Sequence, residues 1–76
     1  MKIDFDLADT VAIIAEEGTL EAAARRMRIT PSAVSQRLRA IEDQLGRVLL
    51  VRSKPVRPTA AGEAVIRLAR QARVLE

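Results

Sequence analysis

Seventy-six residues suffice for one domain, and the absence of cysteine excludes a disulfide framework and a thiolate metal site, which fits a reducing cytoplasm. No run approaches the roughly 18 apolar residues of a membrane span and no signal peptide opens the chain, so the 49% hydrophobic content, mostly Ala, Val, Leu and Ile beside the single aromatic Phe5, suits closely packed helices of a soluble protein. The net charge of +3 conceals a division: residues 1–24 carry one base and six acids, a net of −5, whereas residues 25–76 carry twelve bases and four acids, a net of +8 that attracts polyanions.

Residues 7–15 place Leu7, Ala8, Val11, Ile14 and Ala15 at helical spacing, with acids near the start, where the helix dipole favours them, and Gly18 as a stop. Thr19 can cap a second helix, in which Leu20, Ala23, Ala24 and Met27 repeat at i, i+3, i+4 and i+7. Only Arg28 and Ile29 separate it from the next start signal, Thr30 as N-cap with Pro31 at the first helical position, where a missing N–H costs nothing. The third helix runs to about Leu45, and Gly46 is placed for its C-terminal cap. So short a connection makes the two helices cross sharply, as in a helix-turn-helix, and the small residues Ala22 to Ala24 allow the third to pack close.

After Gly46 the segment RVLLVRSKPVRPT is β-branched, then basic and punctuated by proline. It predicts two short strands, about 49–52 and 56–59, around a Ser53-Lys54-Pro55 tip, and Pro55 and Pro58 restrict them to a small edge hairpin. Arg47, Arg52, Lys54 and Arg57 stand there without one acid. Edge lysines and prolines deter aggregation, but four bases in such a hairpin favour a wing that grips phosphates. Thr59 can then cap a helix from Ala60 to the end, in which Ala61, Val65, Leu68, Ala72 and Leu75 follow the heptad spacing of a helix that packs along another; the stripe either covers the domain's own core or forms a dimer seam, and its length favours the seam. Arg67, Arg70 and Arg73 lie off that stripe, where solvation is the favoured role and a positive flank near DNA the alternative; no stop signal follows, as expected of a piece of a longer chain, with a true terminus as the alternative.

The third helix has two chemically distinct sides. Val34, Leu38, Ile41 and Leu45 fall in one sector, with Ser32, Gln36, Arg39 and Asp43 nearly opposite. A helix-turn-helix presents the N-terminal half of this helix to base edges in the major groove. Gln can pair with adenine and Arg with guanine, and Ser can bond bases or phosphates. Glu42 and Asp43 would repel phosphate and belong outside the contact zone. Catalysis finds no support, because there is no His, no Cys, no glycine-rich phosphate loop, and no base beside Ser32 or Ser35. On the residues alone two alternatives stay open, a protein-interaction or dimerisation module and a nucleic-acid binder that works by charge without sequence choice.

The run AAARRMRITPSAVSQRLRAIEDQLGRVLLVRSKPVRPTAAG resembles the N-terminal winged helix-turn-helix of LysR-type bacterial transcriptional regulators. Gly18-Thr19, Ala23-Ala24, Ala33-Val34-Ser35, Leu38, Ile41-Glu42, Leu45-Gly46, Leu50, Arg52, Thr59 and Ala61-Gly62 all fall in register. TPSAVSQRLRAIE together with LLVRSKPVRPT is most similar to the ArgP/LysG branch, which senses basic amino acids. The resemblance implies a mainly α winged helix-turn-helix with three helices, a β-hairpin wing and a long linker helix. Residues 1–59 would be the DNA-binding domain and 60–76 the linker or dimerisation helix, with the effector-binding domain absent from this chain. It implies sequence-specific double-stranded DNA binding as a homodimer on a pseudo-palindromic operator, controlling lysine or arginine export or metabolism genes. This domain would need no cofactor; the full-length protein would bind lysine or arginine and meet RNA polymerase, with no membrane partner.

By position, Pro31, Ser32, Ser35 and Gln36 fall where the family touches bases, and periodicity adds Arg39. Thr30, Arg37, Arg52, Lys54 and Thr59 fall near phosphates or the wing, joined by Arg57 of the basic hairpin. Many members have Gln in place of Pro31 and Arg-Gln in place of Gln36-Arg37, so the base-reading pattern does not transfer as a whole.

Overall fold

The computed structural model describes residues 3–75, arranged as α1 (Phe5–Glu17), α2 (Leu20–Met27), α3 (Pro31–Leu45), β1 (Leu50–Val51), β2 (Arg57–Pro58) and α4 (Ala60–Leu75). All four helices start with a side-chain oxygen that accepts from an otherwise unpaired backbone N–H. Asp4 Oδ1 takes the N–H of Asp6 at 2.9 Å, and Thr19, Thr30 and Thr59 take those of Ala22, Ala33 and Gly62, each at 3.0 Å. The Asp4 cap starts α1 two residues before the expected Leu7, and the helix continues to Glu17 rather than Ala15. Gly18 (φ 89°) and Gly46 (φ 66°) close α1 and α3 in the left-handed conformation. Arg28, at φ 60° and ψ 41°, closes α2 in the same way without being glycine.

α1 is the central element and packs on α2, α3 and α4. For that reason Ala12 and Ile13 are buried along with Ala8, Val11 and Ile14, more of its circumference than a single amphipathic stripe predicts. Ala23 and Ala24 of α2 meet Val34, Leu38 and Ile41 of α3, and Leu49, Leu50, Val65, Ile66 and Ala69 complete the core. Burying a Leu or Ile side chain is worth about 1.5–3 kcal/mol, so this cluster fixes the angle at which α3 leaves the domain.

The hairpin ladder is shorter than the expected strands, with Leu50 opposite Pro58 and Val51 opposite Arg57. Pro58 has no N–H to extend it. Other bonds anchor the segment: Glu42 Oε2 accepts from Leu49 N at 2.8 Å, Leu49 O from Thr59 N at 3.0 Å, and Gly18 O from Val56 N at 2.9 Å.

α4 lies along α1, and this packing divides the proposed seam. Val65 is a core residue at 5% exposure, Ala61 and Ala72 are half-buried, and only Leu68 (36%) and Leu75 (86%) are open to solvent. At Val65 the core reading of the heptad therefore holds in place of the dimer seam, and the seam reading is left to Leu68 and Leu75. The last residue of the expected linker helix, Glu76, lies outside the described residues. Among the described residues no helix is long and apolar enough to cross a membrane.

Arg73 also departs from expectation, because it is no simple solvated charge. It donates to Asp9 at 2.6 Å and Glu16 at 2.9 Å, while Arg26 of α2 reaches Glu16 at 2.8 Å and Glu17 at 3.1 Å, and Arg70 approaches Glu16 at 3.5 Å. Glu16 and Glu17 sit at the C-terminal end of α1, where the dipole opposes them, and these arginines compensate. Partial burial raises the Glu16 pKa, but the hydrogen bonds from Arg26 and Arg73 outweigh it and hold the carboxyl below the usual glutamate range. A lowered folded-state pKa stabilises the fold above the unfolded-state value of about 4.3, and that contribution disappears as pH falls through the folded-state value. Thermal melts between pH 7 and 3 should show Glu16→Gln less stable than the parent at pH 7 and the difference closing below about pH 4. A gap that stays constant down to pH 3 would contradict this assignment.

Candidate nucleic-acid interface

The sidedness of α3 follows from its register. Val34, Leu38 and Ile41 are buried against α1 and α2, so Ser32, Gln36 and Arg39 must face out, and all three are exposed. Pro31 and Arg37 are exposed beside them, and Ser35 is half-buried at the edge of this face. Thr30 is exposed too; its oxygen caps the helix, which leaves its hydroxyl proton free to donate.

The hairpin stands next to this face. Arg52 Nη2 donates to Ser35 Oγ at 3.3 Å, which joins the end of β1 to the third helical position after Ser32. Ser53 Oγ donates to Pro55 O at 2.8 Å and folds the tip, with Pro55 resting 3.4 Å from where a Gly18 side chain would begin. Arg52, Lys54 and Arg57 are exposed, and among the described residues none of them makes an ion pair. A shallow cleft lined by Thr19, Leu20 and Glu21 of the α2 start and by Arg52, Ser53, Lys54 and Val56 of the hairpin runs between the two, with Glu21 its one acid.

Thr59 is not part of this surface chemistry. Its hydroxyl donates to Val48 O at 2.7 Å and accepts from Gly62 N at 3.0 Å, so the proton that a phosphate contact would need is already used inside the domain. Glu42 is turned in upon Leu49 N, which explains how an acid can stand on this helix without facing a polyanion. Sequence spacing gives no sign of that contact, because it depends on where the chain returns after Gly46.

A buried helix pair, an outward polar face on the second helix and an acid-free hairpin beside it define a winged helix-turn-helix DNA-binding domain. The model of the bacterial regulatory helix-turn-helix proteins of the LysR family matches residues 5–63, and the chain belongs to that family. It is 52% identical over 66 residues to the HTH-type transcriptional regulator LysG of Mycobacterium tuberculosis, covering 87% of this chain and 22% of that protein. The lysine export transcriptional regulatory protein LysG of Corynebacterium glutamicum is 44% identical over 68 residues, 90% of this chain and 23% of that protein. The structure of full-length Corynebacterium glutamicum LysG with bound effector Arg superimposes with a TM-score of 0.93 at 41% identity, covering 96% of this chain and 25% of that one. The complex of the CbnR DNA-binding domain with DNA gives a TM-score of 0.86 at 34% identity, covering 96% of this chain and 85% of that one. The chain thus spans under a quarter of the length of the curated relatives it matches.

Proposed function

We propose that this domain reads double-stranded DNA for a LysR-type regulator of lysine or arginine export or metabolism. The observation that carries the reading is the face formed by Ser32, Gln36 and Arg39 on α3 and joined to the basic hairpin through Ser35 and Arg52. In this reading α3 enters the major groove, Pro31, Ser32, Ser35, Gln36 and Arg39 meet base edges, and Thr30, Arg37, Lys54 and Arg57 meet phosphates. The basic amino acid is supported by the LysG relatives, of which the Corynebacterium glutamicum protein holds arginine as effector. Lysine or arginine would be bound by the part of such regulators that this chain does not span. Residues 60–76 would serve as the linker between two copies, with exposed Leu68 and Leu75 as the apolar contacts and a pseudo-palindromic operator matching the two-fold. A regulator of this kind works in the cytoplasm and meets RNA polymerase at the promoter.

The test starts with selection of duplexes from a randomised library. A selected site should bind at least ~10³-fold more tightly than a scrambled one. Gln36→Ala should relax preference at one base pair by about 1–3 kcal/mol and leave the others intact. Equal affinity for all duplexes would overturn sequence reading and leave attraction by charge alone.

A further inference from the structure

Arg52 is expected near phosphates or the wing, yet its guanidinium is turned onto α3, where Nη2 lies 3.3 Å from Ser35 Oγ. Seventeen positions separate the two residues, so this is tertiary placement and not a local turn. We propose that Arg52 is a positioning residue for base recognition: it holds a lone pair of the Ser35 hydroxyl and makes Ser35 an outward donor that selects a hydrogen-bond acceptor on the base edge. The proposal rests on the reading above, in which α3 lies in the major groove.

A free serine hydroxyl discriminates poorly, because it can donate once or accept twice. Arginine can only donate, so the Ser35 oxygen is the acceptor in this pair and its proton points elsewhere. Among the described residues the Ser35 hydroxyl makes no other hydrogen bond, not even the one that helical serine hydroxyls often give to the carbonyl four residues back, here Pro31. Its proton is therefore available to a ligand. Accepting from a cation strengthens that O–H as a donor. The nearby positive charge also repels the amino hydrogens that would otherwise approach the second lone pair. Guanine O6 and N7, adenine N7 and thymine O4 are thereby favoured over the exocyclic amino groups of cytosine and adenine. Four of the five N–H donors of Arg52 remain, so it can still hold a phosphate while orienting Ser35.

The experiment profiles base preference at every position of the selected duplex for the parent chain, Ser35→Ala, Arg52→Ala, the double variant, Arg57→Ala and Gln36→Ala, with thermal melts confirming that each is folded. Ser35→Ala should cut discrimination at one base pair by roughly 3- to 10-fold, the range of a single hydrogen bond. Arg52→Ala should weaken all sequences and also relax that same base pair, and the double variant should relax it no further. Arg57→Ala should weaken all sequences and move no preference. Arg52→Ala acting uniformly, or Arg57→Ala relaxing the same base pair, overturns the positioning role while Gln36→Ala still supports the groove reading. If Ser35→Ala and Gln36→Ala both leave every preference intact, the groove reading falls and the positioning role falls with it.

Discussion

Gly62→Ala should unfold much of this domain's margin, although alanine is the better helix former by about 1 kcal/mol. Gly62 lies in the first turn of α4, where a Cβ would stand 1.9 Å from the carbonyl oxygen of Leu49 and 2.9 Å from its carbon. Both atoms are backbone, so no rotamer change relieves the clash and either α4 or the chain entering β1 must move. That movement pulls on Thr59, whose N–H bonds Leu49 O at 3.0 Å and whose hydroxyl bonds Val48 O at 2.7 Å. It also pulls on Leu49 N, held by Glu42 of α3 at 2.8 Å. Overpacking typically costs 1–3 kcal/mol, and more when backbone must shift. A net loss of about 3 kcal/mol corresponds to a fall in Tm of roughly 12–24 °C for a domain of this size. Circular-dichroism melts decide it, with Ala64→Gly as the exposed helical control, expected to cost only about 1 kcal/mol. A Gly62→Ala variant as stable as the parent would mean that α4 does not approach Leu49 so closely.

The sequence signals that held were those whose chemistry is local. Thr19, Thr30 and Thr59 cap helices because a hydroxyl three residues before a free N–H does so wherever it occurs, and Gly18 and Gly46 stop helices because their φ is positive. The polar side of α3 was legible for the same reason: once Val34, Leu38 and Ile41 are inward, a 100° period leaves Ser32, Gln36 and Arg39 no other direction. What was not legible depends on distant segments meeting. Ala12 and Ile13 lie off the stripe of α1 and are buried because α4 returns to cover it. Val65 follows a heptad and faces α1 because the first half of α4 belongs to the core. Gly62 carries no turn signal at all; its necessity comes from Leu49, thirteen positions earlier in the chain. The Arg52–Ser35 and Arg73–Glu16 pairs join residues 17 and 57 positions apart, so spacing within an element cannot reveal them.

The division of the arginines into paired and unpaired ones predicts how DNA binding responds to salt. Arg26, Arg70 and Arg73 are occupied with Glu16, Glu17 and Asp9, whereas Arg37, Arg39, Arg52, Lys54 and Arg57, the cations assigned to DNA, face solvent without an ion-pair partner among the described residues; Arg25, Arg28, Arg47 and Arg67 are also exposed and unpaired but lie outside the assigned contacts. With Arg39 assigned to a base, about four cations per copy remain for phosphates, or about eight on a two-copy site. Each phosphate neutralised adds about −0.9 to the slope of log K against log salt, so the slope should be near −7, a loss of roughly 10⁴-fold between 50 and 200 mM salt. Total charge alone would treat every arginine alike; the structure does not. Arg57→Ala should make the slope shallower by about one unit per copy, because it removes a free cation, while Arg26→Ala should leave it nearly unchanged, because that cation only balances Glu16 and Glu17. Titrations of the same duplex at four or five salt concentrations measure both slopes. Equal effects from the two substitutions would show that the protein attracts DNA through its overall field and that the hairpin holds no phosphate of its own.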